Sequence, residues 1–152
     1  MRFTTTVSLF TIVAVGVIGL GGCSSSPKAT SQQEFCALVV AFKTSNDALG
    51  DTALANDPVK TKAAVKQVLG QVQNLQTRAP ADTQVDVDTI AEYVSGFDSL
   101  LASFNYDLAA AQADPAALAK FQELNTDEVN SARARMGAYS TTECGATATT
   151  GS

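Results

Sequence analysis

Residues 82–108 read DTQVDVDTIAEYVSGFDSLLASFNYDL, and the apolar positions within them decide the fold class. Val87, Ile90, Val94, Phe97, Leu101, Phe104 and Leu108 follow one another in alternating steps of three and four. That spacing sets all of them on a single stripe of an α-helix, a seam made for packing against other helices. Tyr93 and Leu100 widen the seam. Asp82 offers an N-cap, and Asn105–Ala113 reads as a bend beyond the helix.

Helical spacing continues on both sides. Upstream, Val65, Val68, Leu69, Val72 and Leu75 share one face of a helix opened by Asp57-Pro58 and closed before Pro80. Asp is a good N-cap, and proline at the first helical position gives up an N–H that has no partner anyway. Further upstream, Ser31 and Glu34 form a capping box ahead of Phe35, Leu38, Val39, Phe42 and Leu49, with Gly50 as the stop. Ser45 and Asn46 are polar where that stripe calls for apolar residues. Downstream, Asp114-Pro115 starts a short helix to Leu124. Asn125 with Glu128 then caps a last helix whose inward residues are Val129, Ala132, Met136 and Tyr139, ending at Cys144-Gly145. No period-2 alternation persists, so the expected fold is all-α: an antiparallel bundle of four main helices plus one short helix. The repeated Asp-Pro starts suggest an internal duplication, although helix capping alone would place them.

The first 22 residues do not fit that pattern. Arg2 is their only charge, and Val7–Leu20 is apolar except for Ser8 and Thr11. A spanning helix needs about 20 apolar residues, whereas a signal-peptide core needs about 7–15. Leu20-Gly21-Gly22-Cys23 resembles a bacterial lipobox. The resemblance implies that residues 1–22 are removed and that Cys23 is lipidated and becomes the first residue, on the extracytoplasmic face of the cell membrane. Two acyl chains anchor stably where one would not. Residues 23–30, small and polar, then form a flexible tether reaching at most about 28 Å. Residues 31–145 would be the helical domain and 146–152 a disordered tail.

Assigning Cys23 to lipid leaves Cys36 and Cys144, an even pair in an oxidising compartment. A bridge between them closes a loop on the order of 100 residues, worth about 4–5 kcal/mol in the chain-entropy account. Two buried free thiols are the alternative. In an up-down arrangement of four helices, the start of the first lies beside the end of the fourth, where the bridge needs it.

Composition removes several functions. With no histidine, the chain has no Ser–His or Cys–His catalytic pair and no His-liganded zinc. A net charge of −5 argues against a nucleic-acid partner. There is no nucleophile elbow, zincin motif or Gly-rich phosphate loop, so no catalytic residue, metal or cofactor is expected. The acidic group Asp82, Asp86, Asp88 and Glu92 has oxygen donors that suit calcium or magnesium, but its spacing is not that of an EF-hand. Acids in a first helical turn also favour the helix dipole. Tyr93, Tyr106 and Tyr139 could line a slot between helices, with Tyr93 and Tyr139 the candidate ligand-binding residues. Arg133 and Arg135 are two apart and leave the helix in different directions. Either could reach Ser45, Asn46 or a neighbouring carboxylate, against the commoner outcome of a solvated face.

Phe35-Cys36, Asn105-Tyr106-Asp107-Leu108, Asp114-Pro115, Ala138-Tyr139 and Glu143-Cys144-Gly145 together resemble small exported helical lipoproteins of actinobacterial type. The likeness spans about residues 34–145 and implies a disulfide-pinned helical domain on the cell surface, with no agreed activity. The expected function is a non-catalytic binding or interaction module of the cell envelope, joined to the membrane through Cys23. Its partner would be an envelope protein or a small molecule. The alternatives are a tethering protein with no ligand and, more remotely, an extracytoplasmic enzyme using carboxylates such as Asp86 and Glu92.

Overall fold

Local capping chemistry starts most of the helices. In a computed structural model that describes residues 31–54 and 57–145, the backbone N–H of Ser31 donates to Glu34 Oε2 (3.1 Å). The Glu34 N–H donates to Ser31 Oγ (3.2 Å), completing the capping box of α1 (Gln32–Leu54). The Asp57 carboxylate accepts the N–H groups of Val59 and Lys60 at 3.1 Å and opens α2 (Pro58–Gln76). Asp114 does the same for Ala116 and Ala117 at α5 (Pro115–Leu124). The segment 1–22, Cys23 with its tether, and the tail 146–152 lie outside the described residues.

Other expectations are corrected. Gly50 does not stop α1; the helix runs four residues further, and Gly145 is the glycine with positive φ among those described. Thr83, not Asp82, stands at the N-cap of α3 (Gln84–Ser103). Its hydroxyl donates to the Pro80 carbonyl at 3.1 Å, so no side chain caps this helix. The segment 105–113 is only briefly a bend. Asn105 and Tyr106 take φ values of 52° and 63°, after which Asp107 accepts the Ala110 N–H (2.9 Å) and opens a further helix, α4 (Leu108–Ala113). Thr126 rather than Asn125 caps α6 (Asp127–Thr142), accepting the Val129 N–H at 3.2 Å. The described residues therefore form six helices and no strand, one helix more than expected.

In the packing, α1 lies on α2, α2 on α3 and α3 on α6, while α1 and α6 touch only sparingly. One apolar cluster joins Phe35, Val39, Val72, Val87, Ile90 and Met136 across α1, α2, α3 and α6. A second gathers Val65, Leu101, Tyr106 and Ala111, with Phe97 and Phe121 against it. The short helix α5 lies close on α3, where a Cβ added to Gly96 would run into Leu124 Cδ2. Burial of this kind, at about 25 cal/mol per Å² of apolar surface, is the main favourable term.

Cys36 and Cys144 form the disulfide, with their Cα atoms 5.2 Å apart and a sequence separation of 108. It joins the first turn of α1 to the chain just past α6. The Gln32 amide reinforces the junction by donating to Glu143 Oε2 (3.1 Å).

Candidate functional site

The sparing contact between α1 and α6 follows from what their facing positions carry. Beyond the disulfide the α1 stripe breaks at Ser45 and Asn46, and α6 presents Arg133, Gly137 and Ser140. Ser45 is buried and satisfied by the Gln67 amide, which donates to its Oγ at 3.1 Å. Beyond Phe42 and Met136, the facing positions carry small or polar side chains that do not zip the two helices together. Buried valines, leucine and isoleucine of α2 and α3 therefore become the floor of an open cleft.

The cleft has two lobes. The first, of about 240 Å³, has Val39 and Phe42 on one wall, Met136 and Gly137 on the other, and Val72, Leu75, Val87 and Ile90 beneath. The second, of about 340 Å³, is lined by Leu49, Val65, Val68, Tyr93, Phe97 and Leu108. Asn46 and Arg133 line both lobes and so stand where the lobes meet. Gly50 faces the second lobe and Gly137 the first, and a Cβ built on either would meet nothing within 4 Å. A glycine inside a helix costs about 1 kcal/mol relative to alanine. Here neither glycine makes room for a neighbouring element of the chain. At the mouth of the first lobe, Lys43 Nζ pairs with Asp47 at 2.7 Å.

Arg133 is held in place. Its guanidinium carbon lies 4.0 Å from the Tyr93 ring centroid, and Nη1 donates to Asn125 Oδ1 at 3.3 Å. Tyr93 in turn stacks on Phe97, which meets Phe121. Among the described residues no carboxylate lies within 4.0 Å of Arg133. Arg135 is the opposite case: Nε and Nη2 grip the Asp86 carboxylate at 2.6–3.0 Å, and Asp86 is only 8% exposed. This hydrogen bonding to Asp86 pushes the Arg135 pKa up. The arginines thus differ in partner, one a neighbouring carboxylate and the other the cleft, while both remain exposed to solvent as expected.

The other candidates lie apart. Tyr139 packs edge-on against Phe35 with centroids 5.7 Å apart, and burial pushes its hydroxyl pKa up. It borders a separate surface opening with Gln32, Asp82, Arg135 and Glu143, so it shares no site with Tyr93. Tyr106 is buried and donates to Asp98 Oδ1 at 3.1 Å. The acidic group is dispersed: Asp86 holds Arg135, Asp88 accepts from the Gln76 and Gln84 amides at 3.0 Å, and Glu92 lies by Gln73 and Ser95. Among the described residues no group of three or more Cys, Asp or Glu is placed to hold a metal ion, and no helix is long and apolar enough to cross a membrane.

Sequence reasoning singled out Tyr93 but did not assign Asn46, Gly50, Arg133 or Gly137 to a site. The break at Ser45-Asn46 was the available signal, since a polar pair on a core stripe marks where helices part. No protein-family model, curated protein or solved structure matches this chain.

Proposed function

We propose that this protein is a lipid-anchored, extracytoplasmic, non-catalytic binding domain that takes a small, largely apolar ligand in the cleft between α1 and α6. The observation that carries this reading is the Tyr93-lined lobe of about 340 Å³, which shares Asn46 and Arg133 as lining residues with the neighbouring lobe. Small-ligand sites are concave, mostly apolar and of about 300–1,000 Å³, with a few placed polar groups. A pure tether needs no such cleft, nor an unfilled glycine on each wall. The carboxylates an enzyme would use are tied up or scattered.

In this reading α1, α2, α3 and α6 are the staves of an antiparallel bundle of four main helices. Their order of packing and the Cys36–Cys144 bridge support it. Residues 1–22 are the signal peptide, 23–30 the lipidated cysteine and tether, 31–145 the domain and 146–152 a free tail. The Leu20–Cys23 sequence supports the anchor. Intact mass of the membrane-extracted protein tests it. A product beginning at Cys23 with a diacylglyceryl group upholds the anchor, and one retaining residues 1–22 overturns it.

The cleft is tested by titrating octan-1-ol into the full chain in lipid nanodiscs, with empty nanodiscs subtracted. Saturable binding is expected, and Gly50→Leu combined with Gly137→Leu, one filling each lobe, should abolish it while leaving the melting temperature at or above that of the unaltered protein. Leucine is the better helix former, and the space is open. Binding that is absent, or unaffected by the double substitution, overturns the reading.

A further inference from the structure

We infer that the ligand is an anionic amphiphile, an alkyl chain bearing a carboxylate or a phosphate monoester, and that Arg133 is the residue that selects its charge. The inference rests on the cleft reading above and adds the ligand's chemistry to it. The first lobe is walled mainly by Val, Leu, Ile, Phe and Met side chains and the second by Val, Leu, Phe and Tyr with Thr61, surfaces that suit an alkyl chain and offer little to a sugar or a peptide. A cation stands at their junction.

The charge of that cation is not met within the described protein. Arg135, two residues on, has Asp86; Arg133 has a tyrosine ring and a neutral amide oxygen. A guanidinium over an aromatic face keeps its N–H donors at its edge, and of the five only one is committed, to Asn125. The remaining fork matches the two-oxygen edge of a carboxylate or phosphate. The Asn46 side chain lines both lobes beside it and makes no hydrogen bond among the described residues, so its amide can donate to the same anion. The carboxylate that lines the cleft, Asp47, is paired with Lys43 and brings no free negative charge to the mouth. The whole chain carries −5, so an anion gains nothing from the long-range field. Any preference for negative charge therefore reports on Arg133.

The test compares octanoate, octyl phosphate and octan-1-ol, titrated at about pH 7.5 into the full chain in nanodiscs. An anion contacting Arg133 should bind on the order of tenfold tighter than the alcohol, the scale of one charge-assisted hydrogen bond at a partly exposed site. Preference for octanoate alone identifies a carboxylate ligand, and preference for octyl phosphate alone a phosphate; either supports the inference. Arg133→Gln should erase the preference, the affinities of the anions and of octan-1-ol converging whatever their absolute values, and Arg133→Lys should restore part of it. Within the preferred series each added methylene should tighten binding about fourfold until the lobes are full. Equal affinities for all three compounds, or a preference that survives Arg133→Gln, overturn the anion while octan-1-ol binding keeps the cleft. If octan-1-ol also fails to bind, both readings fall.

Discussion

Tyr106 holds a left-handed backbone conformation, φ 63°, that costs a non-glycine residue roughly 1–2 kcal/mol. Its side chain is fastened in compensation. The hydroxyl donates to Asp98, Lys66 Nζ lies 2.7 Å from the same carboxylate, and Lys62 sits 5.6 Å from the ring centroid. The hydrogen bond to Asp98 is the first reason the Lys66 pKa rises above its ordinary 10.5. A raised lysine contributes stability that is fully present below the unfolded-state value and is lost as pH climbs through the folded one. Tyr139 adds the same sign. Burial keeps it neutral in the folded protein, while in the unfolded chain it ionises near 10.0, so folding weakens as pH rises past that point. Urea midpoints measured between about pH 9 and 12 should therefore fall, and Lys66→Met with Tyr139→Phe should flatten the decline. An alkaline slope unchanged in the double variant would mean that other groups govern it.

At the scale of the element, Asp-Pro starts were readable because the same two residues that announce the helix also cap it. Adjacent polar residues were harder. Asp82 and Thr83, or Asn125 and Thr126, are equivalent candidates in sequence, and the choice between them is made by partners elsewhere, such as Pro80 for Thr83 and Arg133 for Asn125. Gly50 was read as a stop because glycine ends helices when the backbone turns left-handed, and here it does not. The extra helix α4 was hidden for a related reason, since Asp107 caps only after a strained turn that no local propensity favours. Because Asp114 accepts two backbone N–H groups, Asp114→Ala should cost about 1 kcal/mol, measurable as a shifted denaturation midpoint. Gly96→Ala should do something different: it forces Leu124 aside and loosens α5 from α3. Faster amide exchange confined to 115–124 is the expected signature. Uniform exchange across the domain would point to a global loss of stability instead.

Over the whole molecule, the bridge and the cleft are parts of one arrangement. Two helices that barely touch stay beside each other because a covalent bond fixes one end and a shared floor of α2 and α3 supports the rest. The number and spacing of the cysteines made the bridge legible in sequence, but the cleft was not. Its existence depends on which faces fail to meet, and a stripe pattern describes only the faces that do. Replacing both cysteines, Cys36→Ala with Cys144→Ala, removes a constraint across 108 residues, worth at most about 4–5 kcal/mol. The apolar clusters contain no cysteine, so the helices should persist in far-ultraviolet circular dichroism with a lower melting temperature. The first lobe, whose walls α1 and α6 are then free to separate, should lose definition more than the second, which also draws Thr61, Val65, Phe97 and Leu108 from α2, α3 and α4. Octan-1-ol affinity should consequently drop several-fold at temperatures where the double variant is still fully folded. Affinity equal to that of the bridged protein would show instead that the floor alone shapes the cleft and that the disulfide acts on stability only.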